Sequence, residues 1–551
     1  MKDMQGAGYT PEKLVDTIPL LGVEVEKIDE TEITINVSPN RPDLLDYVGF
    51  VRALDNFTGK KVPAEGHYKL GENPVLTITV EKPVTKVRPF VAGMVVRNLR
   101  LKGNMLKYYI NFTDKFADTY GRKRKKLAIG LHDLSKIKGN LVYTAARTDS
   151  FVPLNSSKKM GFDQIMEAHA RGQEYRDAVP NYGTEKVMYP FLRDDGNIIA
   201  LIPITNAEAT RVTEDTTEIF VDITGTSINT VNGAANLLAC SFIDAGADVY
   251  PVTVAYEKGS EVCPALEYDT RKLPLRKAEL ALGVMLGRHN VVAFANKMGH
   301  VAAKYGNSIV FYVPPYRVDV ISERDLIEDI AIAFGYGNIA PLPIASVGAG
   351  LANDLIDYQN KLAVTMIGLG YTEAVNMMLT NERMNFENMR CDYKSKRYVS
   401  IADAKSVNVS MLRTDILPGL LQNLADSLSE PMPQRLFEVG SVFNLVNDKL
   451  TESVRMAFAC EHAKANFAEA KSVMESVLKY RDVTEYSIEA HSNPSYIEGR
   501  CATVRVNGSI VGVFGELHPA TLTAFGIEEP VVAGELTIVK EISYSQGGKN
   551  A

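Results

Sequence analysis

The densest set of titratable groups is the run Arg317-Val-Asp319-Val-Ile-Ser-Glu-Arg-Asp325-Leu-Ile-Glu328-Asp329. Asp325, Glu328 and Asp329 fall at i, i+3 and i+4 and share one face of a helix, with Asp319 ahead of them at a strand exit. Carboxylates gathered in this way repel unless a cation joins them, and a hard ion with oxygen ligands, Mg²⁺ above all, is the chemistry they offer. The same residues also have a plainer use. Ser322 and Asp325 are spaced as a capping pair, and acidic groups favour a first helical turn in any case. Residue types and spacing leave both readings open. A second polar stretch runs from Ile202 to Thr213 and includes Asn206, Glu208 and Arg211. It is followed by Val221-Asp222-Ile-Thr224, in which Asp222 and Thr224 face the same side of a strand. The sequence shows no Ser-His-Asp set, so nothing in it points to a covalent acyl-enzyme.

These groups need elements to hold them. A helical pattern from Pro11 to Leu21 and a strand pattern from Thr31 to Ser38 precede Pro39-Asn-Arg-Pro42, and a helix is expected from Asp43, which sits where a carboxylate favours the helix dipole. Strands are expected at Phe90 to Arg97, Ile198 to Ile204 and Ile219 to Ile223, and helices at Lys102 to Tyr120 and Ile228 to Ala245. The charged stretch Glu257 to Glu261 reads as a boundary. A helix near Leu275 to Leu286, the strand Ser308 to Val313 and a helix from Ser322 to Phe334 predict a small helix-turn-helix-like module. After a turn-rich linker at Pro341 to Gly350, helices at Leu355 to Ile367, Leu417 to Leu428 and Ala465 to Tyr480 alternate with strands, the pattern of an antiparallel sheet flanked by helices. The fold class is therefore α+β multidomain. Its expected units are an N-terminal α+β domain at 1–85, a second α+β domain at 87–262, a small module at 268–342 and a sheet domain at 350–551.

Composition limits what the whole can do. The 551 residues suit several separate cores, no apolar run approaches the length of a membrane span, and the start carries no secretory pattern, so a soluble cytoplasmic protein is expected. A formal net charge of -7 argues against binding nucleic acid through the whole surface, so any such contact must be local. The five cysteines lie far apart with no CxxC pair, which disfavours a zinc knuckle or a disulfide framework.

Pro314-Pro-Tyr-Arg-Val-Asp319 followed by Asp325-Leu-Ile-Glu-Asp-Ile-Ala-Ile-Ala-Phe-Gly-Tyr-Gly-Asn338 resembles the magnesium-binding module of phenylalanyl-tRNA synthetase β subunits of the archaeal and eukaryotic type. Ser38-Pro-Asn-Arg-Pro-Asp-Leu-Leu-Asp46 is similar to the family's amino-terminal motif. Met411 to Leu421, Arg435 to Gly440 and Gly512 to Pro519 resemble its carboxy-terminal domain. Each fragment alone is weak, and their shared order along nearly the whole chain is what carries the likeness.

The resemblance implies Mg²⁺ held by Asp319, Asp325, Glu328 and Asp329. It also implies a partner α subunit carrying the aminoacylation site, an assembly of two α and two β chains, and tRNA(Phe) as ligand. The last domain then resembles a class II synthetase fold without catalytic capacity: Arg413-Thr-Asp415 only loosely echoes that class's Arg-x-Glu, and no glycine-rich segment ends in Arg near Gly515 to Pro519. Arg413 and Arg500 become structural or interface residues. The segment from Ile202 to Thr226 resembles the family's editing motif, which implies hydrolysis of mischarged tyrosyl-tRNA(Phe). In that reading Asp222 and Thr224 line the amino-acid pocket, and Asn206 and Glu208 position substrate or water. The alternative is that Asn206, Glu208 and Arg211 satisfy a turn that Asp222 caps, and the rival reading of the whole is an architectural subunit that binds tRNA without editing it. An independent metal-dependent hydrolase built on the acidic helix is a third reading.

Arg122-Lys-Arg-Lys-Lys126 is either a solvated loop or a contact for the tRNA acceptor strand, and His132 either orients substrate or bonds locally. Two departures stand out. The strand that the family carries before its first helix is not evident here, so an incomplete first domain is expected, and Glu498 stands where the family more often has proline.

Overall fold

Thr10 accepts a hydrogen bond from Lys13 N and starts the helix Pro11–Leu20, whose Leu14 and Ile18 are fully buried. This is the first element of a computed structural model that describes residues 8–29, 32–343, 348–392, 398–402, 404, 406 and 408–539. The helix is followed by the antiparallel hairpin of Glu24–Ile28 with Ile33–Asn36. The next helix does not begin at Asp43. Pro42–Leu45 forms a short 3-10 turn, and Asp46 caps the helix Tyr47–Phe57 by accepting from Val48 N and Gly49 N. Asp43 is unavailable as a cap because the Arg41 guanidinium holds it through bonds of 2.9 and 2.8 Å.

The chain divides into two compact units, Met1–Pro343 and Ile344–Ala551. The centre of the first is a ten-stranded sheet in which Phe90–Arg97, Ile219–Gly225 and Leu127–Asp133 lie side by side and antiparallel at one end. The sheet runs on through Asp248–Tyr256, Thr77–Val80, Leu141–Ala146, Tyr189–Arg193, Ile198–Leu201 and Thr205–Asn206. Thr77–Val80 comes from inside the expected 1–85 unit, so that boundary falls too late. Glu257 to Glu261 is not a boundary either: it forms the tip of a hairpin that pairs Asp248–Tyr256 with Gly259–Cys263, and its charges mark an exposed turn. The helices Ile228–Asp244 and Met105–Asp118 pack on this sheet. Their buried faces, including Leu238, Phe242, Phe112 and Phe116, join Val221, Ile223 and Met94 in one core.

The module after Tyr268 is richer in strand than the expected helix-turn-helix. Asp269–Pro274, Ser308–Val313 and Val301–Tyr305 make a three-stranded antiparallel sheet beneath the helices Leu275–Leu282, Arg288–Lys297 and Glu323–Phe334. Its outer strands are short and half exposed, so they carry little apolar signal in sequence.

The second unit is built on a seven-stranded sheet, antiparallel except where the edge pair Thr372–Glu373 joins Gln434–Val446 in parallel. Along Lys449–Glu461 the residues alternate. Met456, Phe458 and Cys460 face the helices Asp354–Gly368 and Phe467–Tyr480, while Ala457 and Ala459 face Leu417–Asp426 and Pro519–Phe525. Part of the Pro341 to Gly350 linker lies outside the described residues. Among the described residues no helix is long and apolar enough to cross a membrane.

Candidate functional site

Strand alternation sets Asp222 on the face of Ile219–Gly225 that also carries Phe220 and Thr224, and the register places it between Gly93 on one side and Gly130 on the other. The absence of a side chain at Gly130 matters. A Cβ there would stand 2.0 Å from Asp222 Oδ2, so only glycine lets the carboxylate lie across the neighbouring strand. Asp222 is 2% exposed and lines a cavity of about 330 Å³. The rest of the lining includes Leu201 to Asn206 and Ile110, Thr113 and Asp114 of the helix Met105–Asp118.

His132 holds the carboxylate from behind. Its Nε2 lies 2.9 Å from Asp222 Oδ2, and its Nδ1 lies 2.8 Å from Thr210 Oγ1. With Nε2–H donated to Asp222, a neutral ring uses Nδ1 to accept the Thr210 hydroxyl. His132 is fully buried and does not line the cavity, so it orients Asp222 rather than reaching a ligand. Asp222 Oδ1 carries no hydrogen bond among the described residues. Asn206 also lines the cavity, fixed by donation from its Nδ2 to Leu131 O at 3.0 Å.

The other two expected pocket residues stand outside the wall. The Thr224 hydroxyl accepts from Arg88 Nε at 3.1 Å, and the Thr224 carbonyl accepts from Arg88 Nη2 at 2.8 Å. Arg88 is itself buried with no ion pair among the described residues, and burial pushes its guanidinium down to about 10 against the opposing charge of Asp222. Glu208 forms the turn that the sequence left as its alternative, pairing with Arg211 at 2.7 Å and accepting from Asn155 N at 3.0 Å.

Several wall residues had no sequence signal strong enough to single them out: Arg124, Asn155, His169 and Arg171. Arg124 and Arg171 each donate to Asp114 at 2.5 Å, and the Arg124 guanidinium stacks over Tyr175 at 4.1 Å. The one cue in sequence was that Arg124 belongs to the basic run.

The acidic helix resolves differently. Ser322 and Asp325 form the capping box, and Asp325 Oδ2 accepts from both Ile321 N and Ser322 N. Arg317, buried to 4% exposure, donates to Asp319 and to Asp329, each at 2.8 Å, and His300 Nε2 lies 2.6 Å from Asp329. Burial pushes the Asp329 carboxyl up, but the guanidinium and the histidine override it and hold it well below the usual carboxylate range. The cation that the clustering required is therefore present in the chain itself.

Asp319, Asp325, Glu328 and Asp329 do line one common cavity. They do not reach the mutual spacing, within 4.8 Å for three ligand atoms, of a shared inner coordination shell. Among the described residues only Cys460, His462 and Glu469 do. In that trio His462 Nδ1 accepts from Lys464 N, which leaves Nε2–H to donate to Glu469 at 2.8 Å, so a proton occupies the place of an ion.

In the second unit the amides of Ile416 and Leu417, at the start of the helix Leu417–Asp426, donate to Glu535. Arg455 pairs with Asp415 and Glu535, and Arg413 pairs with Glu438 at 2.5 Å. A helix start and cations that would suit a phosphate are thus taken by carboxylates. Arg500 pairs with Glu516 at 2.5 Å.

Comparison with known proteins agrees with this layout. A family model described as the phenylalanyl tRNA synthetase beta chain CLM domain matches residues 340–538, the tRNA synthetase B5 domain matches 271–336, and the B3/4 domain matches 72–241. The chain is 34% identical over 535 residues to the phenylalanine–tRNA ligase beta subunit of Archaeoglobus fulgidus, covering 96% of this chain and 95% of that one. It is 31% identical over 539 residues to the corresponding subunit of Methanocaldococcus jannaschii, covering 96% of each. The crystal structure of an N-terminal fragment of the phenylalanyl-tRNA synthetase beta-subunit from Pyrococcus horikoshii matches with a TM-score of 0.56 and 28% identity, covering 59% of this chain and 94% of that one. With relatives above 30% identity aligned over nearly its whole length, the chain belongs to the phenylalanine–tRNA ligase β-subunit family and is a subunit of a ligase.

Proposed function

We propose that the cavity beside Asp222 hydrolyses tyrosyl-tRNA(Phe), while an α subunit, in an assembly of two α and two β chains in the cytoplasm, charges tRNA(Phe) with phenylalanine using ATP. The observation that carries this reading is a buried carboxylate at a cavity wall with one oxygen held by His132 and the other unbonded. An apolar pocket for phenylalanine rejects an added hydroxyl by only about a hundredfold, so a second sieve has work to do. Asp222 Oδ1 accepts a hydrogen bond from the tyrosine hydroxyl, whereas phenylalanine would shut that oxygen away from water without a partner. Water attacks the ester carbonyl, releasing tyrosine and the free 3′ ribose hydroxyl. Asn206 contributes to the same wall.

The seven-stranded domain serves as a class II synthetase-like scaffold, supported by the way Glu535 and Glu438 occupy its helix start and its arginines. The test compares tyrosyl and phenylalanyl esters of the same tRNA in the assembled complex. A tyrosyl preference of about a hundredfold or more that collapses in Asp222→Ala is expected. Equal hydrolysis of both esters by the wild-type complex contradicts the reading.

A magnesium site at Asp319, Asp325, Glu328 and Asp329 is proposed as a hydrated ion only. Carboxylates outnumber guanidinium groups around that cavity, and Mg²⁺ commonly keeps its waters while one or two carboxylates hold it. The ion would tie the helix start to the strand exit and take no part in hydrolysis. Millimolar Mg²⁺ is expected to raise the thermal midpoint of the wild-type complex and to leave Asp325→Ala/Glu328→Ala unmoved. An identical response in both contradicts it.

A further inference from the structure

Arg122, Lys123 and Arg124 are three consecutive residues in the left-handed region, with φ of 51°, 51° and 62°. Side chains other than glycine rarely enter that region, and a run of three is costly, so something must impose it. The imposing contacts are visible. Lys123 N and Arg124 N donate back to Asp118 O and Ala117 O, Lys126 N donates to Gly121 O, and a Cβ at Gly121 would meet Ala117 O at 2.2 Å.

From the other side, Arg88 Nη1 takes the carbonyls of Arg124 and Lys125 while its remaining nitrogens hold Thr224. Arg124 turns inward, lines the cavity, and donates to Pro203 O and Asp114. The turn is thus bolted to the strand that carries Asp222 and to Pro203 and Asp114 of the cavity lining. The outcome is that Arg122, Lys123 and Lys125 point away from the core, are exposed, and make no ion pair among the described residues. On a chain of net charge -7, this turn carries three exposed cations without an ion pair next to Arg124, which lines the cavity.

We propose that this left-handed basic turn is the phosphate-binding surface for the single-stranded 3′ end of an aminoacylated RNA whose ester enters the cavity. The inference rests on the hydrolytic reading of that cavity. If the tyrosine hydroxyl reaches Asp222, the ester lies toward the cavity mouth, and the phosphates one and two nucleotides back must pass beside that mouth. There backbone contacts fix position without reading bases. The strained turn serves that purpose by presenting adjacent cations on a rigid frame rather than on a mobile loop, which lowers the ordering cost of binding.

The test uses the assembled complex and R122G/K123G combined with Lys125→Ala. Glycine keeps the left-handed turn without strain, and Arg124 stays in place. The probes are tyrosyl-tRNA and tyrosyl-adenosine, an ester without phosphates. The expected result is a drop of about tenfold or more in kcat/KM on tyrosyl-tRNA and a log–log salt slope shallower by about two units, as for three lost contacts to a single strand. Tyrosyl-adenosine hydrolysis stays at the wild-type rate, and Arg122→Lys/Lys123→Arg behaves as wild type on both probes. Wild-type kinetics and salt slope on tyrosyl-tRNA overturn the proposal, and so does equal slowing of both esters, which would make the turn only a cavity wall. If the wild-type complex hydrolyses neither ester, the hydrolytic reading falls by itself. The surface is then decided by phosphate ethylation interference on tRNA: contacts at the 3′ phosphates that vanish in the variant support it, and unchanged interference overturns it.

Discussion

Asp222 and Asp329 are both nearly inaccessible, at 2% and 4% exposure, and each is hydrogen-bonded to a fully buried histidine, His132 or His300. What differs is the third partner. Both line a cavity, but Arg317 pairs with Asp329 and Asp319 at theirs, while Asp222 meets its cavity with no arginine or lysine paired to it among the described residues. Burial holds His300 below the usual imidazole range against the raising effect of Asp329, and Arg317 supplies the fixed positive charge at that carboxylate. A dense acidic run thus marks a place where the chain has answered its own charge. A single carboxylate between two glycines marks a place where it has not. The first arrangement is a structural tie that leaves room only for a hydrated cation, and the second is open to a ligand that brings its own hydrogen-bond donor.

The comparison breaks most visibly at Arg317. Replacing it with Met should leave Asp329 and Asp319 without their counter-cation and cost about 3–5 kcal/mol, read as a loss of unfolding stability of the chain, with partial recovery when Asp329→Asn is added. A cost below about 1 kcal/mol would mean that the acidic cluster has another cation.

Asp46 sharpens the contrast from a third side, because it is a buried carboxylate with a hydroxyl and two amides but no directly bonded cation: Ser241 Oγ, Val48 N and Gly49 N all donate to it. Burial pushes its carboxyl up to about 6. A folded-state value above the unfolded one favours the protonated form, so Asp46 imposes no penalty below the unfolded value near 4 and an increasing one as pH climbs through about 6. Asp46→Asn should therefore gain stability relative to wild type, by about 2–3 kcal/mol, between pH 4 and pH 6.5. A difference that stays flat with pH would contradict the assignment.

His132→Ala is the smallest of these changes. It should lower tyrosyl-ester hydrolysis by about 10- to 100-fold, or about 1.4–2.7 kcal/mol, while leaving phenylalanine charging intact. A shifted pH profile would separate lost orientation of Asp222 from a general loss of fold.

Elements with strong periodicity were legible before any coordinates. Ser308–Val313 falls where expected, and Glu323–Phe334 starts after the Ser322 cap as its spacing required. What sequence misassigned was decided by partners distant in the chain. Asp43 looked like a helix start until Arg41 claimed it, and Thr77–Val80 gave no sign that it would join a sheet whose next strands come from Leu141–Ala146 and Asp248–Tyr256. Of the expected pocket residues, Asp222 and Asn206 reach the cavity. Thr224 shares a strand face with Asp222, but alternation cannot reveal that Arg88, 136 positions earlier, covers it. His132 stayed ambiguous for the same reason, since its role depends on Thr210 and Asp222 meeting its two nitrogens.

The central claim is that the open carboxylate performs selection and the closed one does not. Single-turnover deacylation of tyrosyl-tRNA(Phe) by the assembled complex tests it directly, with wild type, Asp222→Ala and Asp329→Asn in parallel. The account predicts a loss of about a hundredfold or more in Asp222→Ala, with normal phenylalanine charging, and a rate near wild type in any Asp329→Asn complex that still assembles. Undiminished deacylation by Asp222→Ala would contradict it.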